Sequence, residues 1–265
     1  MATAEHVAHV TSVPGATPRR VWTLRIAIIV VILAAWEALA VSGWLFRDVV
    51  PSLTAIGRAV AQVLMSADFY KNLGVTLYEI GVGLLIGGSA GIVVGIVLGA
   101  NRFLAHAYEA LLYYLGPTPK IIFFPVMIMW FGVGSGSKIA MGVLSCFFPI
   151  VISTASGMRE IDKVLIRVGQ SFRASWWQMA IKIYLPAMRQ PIMNGVRLGL
   201  GVAIIGTLLA ETKLSNRGIG YLIIQAYATF DMPRMYALLI VLFVLAIGAN
   251  AVIGRLGAGG TDHPR

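Results

Sequence analysis

The chain has 265 residues, of which 58% are hydrophobic and 12% charged, and its mean hydropathy is +0.83. A soluble domain is about half apolar and about a quarter charged, so this composition excludes one and indicates an integral membrane protein. The net charge of +10 could suggest nucleic-acid binding, but most Lys and Arg residues lie in loops between apolar runs, as membrane topology requires.

The N-terminal segment, residues 1–20, is polar and rich in Pro, Ala and Thr, which predicts a disordered cytoplasmic tail. Arg19 and Arg20 precede the first apolar run, and Arg25 lies at its start. The alternative interpretation is a cleaved signal peptide. The run is too long for a usual signal sequence, which favours an uncleaved anchor with an inside N-terminus.

Six apolar runs have about the 20 residues that a membrane-spanning helix needs. They are 24–43, 74–99, 117–133, 137–157, 190–211 and 235–255. The predicted fold class is therefore all-α integral membrane, with about six transmembrane helices. They form one domain at 21–257, followed by a C-terminal tail at 258–265. Two shorter runs, 51–65 and 104–115, predict amphipathic helices at the outer and inner interfaces.

Glycine recurs every fourth residue in the second run, at Gly83, Gly87, Gly91, Gly95 and Gly99. Such a stripe lets membrane helices approach closely. It indicates close packing within one subunit, and a subunit interface is the alternative.

The third run is interrupted by Pro117, Pro119 and Pro125. Proline removes a backbone donor, and broken backbone at membrane depth is tolerated where protein buries it or water lines it. Lys120 either lines a cavity or extends to the inner interface. Pro119, Lys120, Pro125 and Glu211 are the candidate pathway residues, although Glu211 could simply be solvated at the outer end of its run.

Three further charges, Glu37, Glu79 and Arg197, fall within apolar runs. We expect each to face inward and to be paired.

No catalytic, metal or cofactor site is predicted for this chain. Cys146 is the single cysteine, the four histidines are scattered, and Ser, His and acidic residues do not group together. The stretch GVGSGSK at 132–138 lacks the spacing of a phosphate-binding loop and predicts a tight turn instead.

The 158–189 loop contains the densest basic cluster: Arg159, Lys163, Arg167, Arg173, Lys182 and Arg189. Six spans and an inside N-terminus place it in the cytoplasm. Asp162 predicts the cap of one short helix, and Ser175 with Gln178 forms the capping box of a second. We expect Pro186 to end that second helix. Each helix carries an apolar face, formed by Val164, Leu165, Val168 and Phe172 in the first and by Trp176, Met179, Ala180 and Ile183 in the second.

This loop resembles the EAA loop of binding-protein-dependent ABC importer permeases. The family's Ile-x-Leu-Pro ending matches Ile183–Pro186, whereas Arg167 stands at the Glu and Arg173 at the central Gly. Further similar stretches are PTPKIIFFPVMIMWFGVGSGSK, FFPIVISTASGMREID, AMRQPIMNGVRLGLG and AETKLSNRGIGYLI. They cover about 70–250 and are most similar to the branch that imports nitrate, sulfonates and taurine.

The resemblance implies a type I permease in the bacterial inner membrane with both termini cytoplasmic. It also implies two permease copies, two separate ATPases that hold ATP and Mg, and a periplasmic or lipid-anchored solute-binding protein. The loop would be the coupling helix, and its implied coupling residues are Asp162, Val168, Gly169, Phe172, Arg173, Ala174, Ser175, Trp176, Met179, Leu185 and Pro186. The implied substrate is a small anion, with neutral aromatic or heterocyclic solutes left open.

Arg173 replaces a glycine at a turn, so either the turn keeps φ negative or Arg173 accepts strain. In both cases we expect Arg173 at the exposed tip. An ion-coupled secondary transporter and a non-transporting scaffold are the alternative functions.

Overall fold

The computed structural model describes residues 18–43 and 49–258, which are almost entirely helical. The predicted disordered segment up to residue 17 and the tail from residue 259 lie outside the described residues. The helices, in chain order, are α1 Pro18–Ser42, α2 Leu53–Met65, α3 Ala67–Ala100, α4 Arg102–Leu115, α5 Phe124–Phe131, α6 Ser135–Arg159, α7 Lys163–Ser171, α8 Trp176–Met179, α9 Leu185–Lys213, α10 Ile219–Ala228 and α11 Met232–Ala258, with a 3-10 turn at Lys120–Phe123 and a π-helical turn at Ala180–Tyr184.

Five stretches of the described chain are long and apolar enough to cross a membrane: Arg20–Ser42, Ala67–Ala100, Ser135–Arg159, Trp177–Lys213 and Met232–Arg255. A sixth crossing exists if the bent pair of helical segments His106–Leu115 and Lys120–Phe131 is counted as one. The short helices expected at 51–65 and 104–115 correspond to α2 and α4.

Three helices, α3, α6 and α9, form the centre of the bundle. Gly83 of α3 lies against Gly142, and Gly99 lies against Met158, so residue numbers rise together and α3 runs parallel to α6. Along α9 the order reverses, since Gly195 lies against Ser153 and Gly206 against Ser145. We call the end of the bundle that carries residues 158–189 the loop end.

Because α3 and α6 are parallel, the chain between them must return across the bundle. It starts at Gly116, beside the Ile152 side chain, and ends at Phe131, against Gly136. The distance along α6 is about 25 Å at 1.5 Å per residue, most of a hydrocarbon core. The expected third span is therefore not one regular helix. It is a 3-10 turn and the short α5, bent by 89° from α4.

At the end opposite the loop, the helices α2, α10 and α11 pack together. Ala59, Phe69, Leu222 and Leu238 are buried together there. Helix α1 is attached at the same end: the Trp36 indole N–H donates to the Pro51 carbonyl (3.0 Å). Most of the remaining surface of α1 is exposed in the single chain.

Candidate functional site

The segment Asp162–Tyr184 forms a helical knob at the loop end. The Asp162 side chain accepts a hydrogen bond from the Val164 N–H (2.7 Å), which satisfies one of the free amides at the start of α7. The Ser175 N–H donates to the Gln178 side chain (2.8 Å), and the Gln178 N–H donates to the Ser175 hydroxyl (3.4 Å). Both predicted caps are present, so the two helices start where the sequence places them.

A single left-handed residue, Arg173, turns the chain between the two helices, with φ +50°. The Ala174 N–H donates to the Gly169 carbonyl (3.0 Å) and the Arg173 N–H to the Gln170 carbonyl (2.9 Å). This pair of bonds is the Schellman motif, which normally has glycine at the left-handed position. Of the two alternatives, Arg173 therefore accepts the strained conformation, and its side chain is exposed.

We predict that Arg173→Gly stabilises the knob. A side chain at positive φ costs about 1–2 kcal/mol. Glycine removes that cost but loses about 0.5–1 kcal/mol because its unfolded state has more conformational freedom, so the net gain is up to about 1.5 kcal/mol. Hydrogen exchange of the amides at 168–174 should slow in this variant.

The matched control for this prediction is Arg173→Ala, which removes the charge but keeps the Cβ atom. Equal slowing of exchange in both variants would show that the backbone strain is not the cause.

Packing across the knob joins its two helices. Gly169 is buried, and a Cβ atom there would lie 2.4 Å from the Met179 sulfur and 2.6 Å from the Ile183 Cδ1 atom. The absence of a side chain at Gly169 thus lets Met179 and Ile183 pack directly against the backbone of α7. The side chain of Trp176, another candidate coupling residue, lies outside the described part of the chain.

Pro186 does not end the second helix, contrary to the prediction. Helical backbone continues from Trp176 to Lys213, with the π-helical turn between α8 and α9. The Leu185 N–H donates to the Ala180 carbonyl, five residues back, just before the proline that has no N–H of its own. The wider π-helical turn directly before Pro186 thus accommodates the missing donor inside a continuous helix. The knob and α9 therefore share one continuous helix.

The apolar face of α7 has no cover within the described chain. Phe172 is 83% exposed, Val164 59% and Val168 47%. Apolar side chains clustered this way on a short, doubly capped helix are typical of a docking surface.

The three candidate pathway residues in the third crossing lie in its broken segment. Pro119 precedes the 3-10 turn and Pro125 lies in the first turn of α5. The Lys120 ammonium donates to the Gly116 and Thr118 carbonyls and lies 5.2 Å from the centre of the Phe148 ring. Lys120 thus satisfies carbonyls left free by the break, and its place on a pathway stays a prediction.

Glu211, the fourth candidate, is fully buried, so its interpretation as a solvated end residue is wrong. With Asn72 and Thr76 it holds three successive amides, a group that we call the amide clasp. The N–H of Gly218 donates to the Asn72 side chain (2.8 Å), that of Ile219 to the Thr76 hydroxyl (2.8 Å) and that of Gly220 to Glu211 (2.6 Å). The clasp fixes the chain that links α9 to α10.

Sequence reasoning missed Lys138 as part of this region. Lys138 lies at the start of the fourth apolar run, and its side chain is fully buried beside the clasp, where its ammonium donates to the Val133 carbonyl. Its proximity to Glu79 and Glu211 depends on three helices meeting, and no local signal in the sequence shows that.

The five glycines of the stripe all lie against α6 of the same chain. A Cβ atom on Gly87 would lie 2.8 Å from the Val143 carbonyl, and one on Gly95 would lie 2.6 Å from the Thr154 Cβ atom. The helices are thus in backbone contact, and a role of the stripe between subunits stays a prediction.

Long apolar helices, one broken crossing and an exposed knob together define a helical, multi-pass membrane protein with an uncovered docking element. Residues 91–258 match the family described as binding-protein-dependent transport system inner membrane component, and the chain belongs to this family.

Two relatives illustrate the branch within that family. The putative aliphatic sulfonates transport permease protein SsuC of Escherichia coli (strain K12) is 32% identical over 91% of this chain and 90% of its own length. The taurine transport system permease protein TauC of the same strain is 30% identical over 88% of each chain. This is the branch that the resemblance predicted.

The fold is similar to that of a chain of the MetNI methionine ABC transporter solved in inward-facing conformations. The TM-score is 0.59 at 19% identity, and the match covers 79% of this chain and 97% of the other. The protein therefore has the type I ABC importer permease fold.

Proposed function

We propose that this chain is the translocating subunit of an ATP-driven importer and that its knob couples it to a separate ATPase. The observation that carries the proposal is the uncovered apolar face at Val164, Leu165, Val168 and Phe172. Such a face costs free energy in water, and docking into a cleft of a partner removes it from water.

The coupling is mechanical. Because α8, the π-helical turn and α9 are continuous, a displacement of the knob moves α9 as one body. Packing of Met179 and Ile183 over Gly169 keeps α7 attached to that body. Two such knobs brought together by closure of an ATPase dimer would therefore move two α9 helices, as alternating access requires.

The complete transporter would contain two permease copies and two ATPase subunits, with a periplasmic or lipid-anchored binding protein at the end opposite the knob. ATP and Mg would be held by the ATPase, so this chain is not an enzyme. Six basic residues at 158–189 favour placing the loop end, and with it both termini, in the cytoplasm of the bacterial inner membrane.

The substrate would be a small anion of the sulfonate, taurine or nitrate type. Uptake into proteoliposomes with the cognate binding protein tests this: ATP should drive uptake of taurine, an alkanesulfonate or nitrate. Uptake driven by an ion gradient without ATP would indicate the alternative, a secondary transporter. Preferred uptake of a neutral heterocycle would contradict the anion.

Deletion of residues 168–182 should abolish co-purification of the cognate ATPase, because it removes most of the knob and its turn. Membrane insertion should be unaffected, since the long apolar helices remain. Co-purification of the ATPase with the deleted chain would contradict a coupling role for the knob.

A further inference from the structure

Two buried carboxyl groups, those of Glu79 and Glu211, meet near the end of the bundle opposite the knob. Glu79 is 1% exposed and Glu211 is fully buried. The two carboxyls interact with each other, and Glu79 also interacts with Ser135. The ammonium group of Lys138, likewise fully buried, is the positive charge that interacts with both carboxyl groups.

The charges of this cluster do not balance if all three groups are ionised. Two carboxylates and one ammonium leave one net negative charge with almost no exposure to water. An uncompensated buried charge is strongly destabilising, more so at membrane depth. One additional proton brings the cluster to neutrality.

The hydrogen bonds show which carboxyl is suited to hold that proton. Glu211 accepts at both oxygens: from the Thr76 hydroxyl at Oε1 (2.7 Å) and from the Gly220 N–H at Oε2 (2.6 Å). The Thr76 hydroxyl itself accepts from the Ile219 N–H, so its own hydrogen is directed to Glu211. An ionised carboxylate fits this pattern, because it accepts and cannot donate.

Glu79 has the opposite pattern. Its buried Oε2 atom has no hydrogen-bond partner among the described residues. A buried acceptor without a donor is rare, whereas a protonated oxygen becomes a donor that the neighbouring carboxylate can accept.

We infer that Glu79 and Glu211 form a binding site for one proton, held on Glu79 and shared with ionised Glu211, which neutralises the cluster around Lys138. The bound proton also supports the amide clasp, since Glu211 anchors Gly220. A sodium ion between the two carboxylates would balance the charge equally, and it is the competing occupant of the site.

The charged groups around the site determine the expected pH dependence. Lys138 faces it from α6, while Lys71 of α3, Lys213 of α9 and Arg217 of the following loop are exposed and screened by solvent. The residues of α10, which packs against the site, are uncharged. Loss of the proton as pH rises leaves a net negative buried cluster, so the folded chain should lose stability toward alkaline pH.

The first experiment compares two isosteric variants of the full-length chain in lipid nanodiscs. Glu79→Gln replaces the proton with an amide donor and should unfold at or above the wild-type temperature, without the alkaline loss of stability. Glu211→Gln removes one of two acceptors and should unfold several degrees lower. Equal destabilisation by both variants would overturn the inference.

Infrared spectroscopy tests the proton directly. The wild type at neutral pH should show a protonated-carboxyl C=O band that shifts in D2O and is lost in Glu79→Gln. Identical spectra for the two proteins would overturn the inference. So would a loss of wild-type stability when sodium is replaced by choline at constant pH, which would indicate a sodium site. None of these measurements involves the ATPase, so they stand apart from the test of coupling.

Discussion

Phe172→Ser should weaken ATPase association about 10- to 100-fold while leaving the chain folded and inserted. Full burial of a Phe side chain contributes about 1.5–3 kcal/mol, and each 1.4 kcal/mol is about tenfold in affinity. Phe172 is among the most exposed large apolar side chains of the knob, so its removal costs little in the free chain. Val168→Ser, one turn earlier, should act in the same direction. Binding of the purified ATPase to the permease in nanodiscs measures the effect.

The matched control is Gln170→Ser on the same helix. Gln170 lies two residues, or about 200° of helical rotation, from Val168, and therefore faces away from the apolar face. It is exposed, and its change should leave ATPase affinity within about twofold of wild type. If Gln170→Ser and Phe172→Ser weaken binding equally, the apolar face is not the docking surface.

Gly95→Leu should destabilise the folded chain by about 3 kcal/mol or more, at or beyond the upper end for overpacking. A Cβ atom at residue 95 would meet the Thr154 Cβ atom at 2.6 Å and the Val151 carbonyl oxygen at 2.9 Å. Backbone atoms and a β-branched side chain of α6 cannot move aside without separating the two helices. Thermal unfolding in detergent should show a lower midpoint, or the variant should fail to accumulate in the membrane.

Gly81→Leu is the control on the same helix. Gly81 is exposed, and a Cβ atom there would meet nothing within 4 Å. Both substitutions remove a helical glycine and add the same side chain, so they differ in the contact with α6. A midpoint lowered equally by both would indicate that glycine matters for α3 itself rather than for its packing.

Much of the knob could be predicted from sequence because its determinants are local. The caps at Asp162 and Ser175 depend on side chains that bond to amides two or three residues away. The exposed tip at Arg173 follows from the turn between two capped helices. The continuation past Pro186 could not be predicted, because a π-helical turn depends on how the knob and the bundle fit together.

The spans were predictable for a similar reason: the length of an apolar run must match the membrane, and the prolines at 117–125 already indicate irregular backbone. That the third crossing is a 3-10 turn and a short helix follows from the parallel arrangement of α3 and α6, which no single segment specifies.

The sequence by itself determined the class of protein, the apolar helices, the capped knob and the family, because composition, periodicity and capping act over a few residues. Only the tertiary structure decided the partners of the charged residues. Glu79, Lys138 and Glu211 are separated by 59 and 73 positions in sequence and meet because α3, α6 and α9 pack together at the same depth. The role of these three residues depends on the balance of their charges. That balance matters only when three helices bury the side chains away from water.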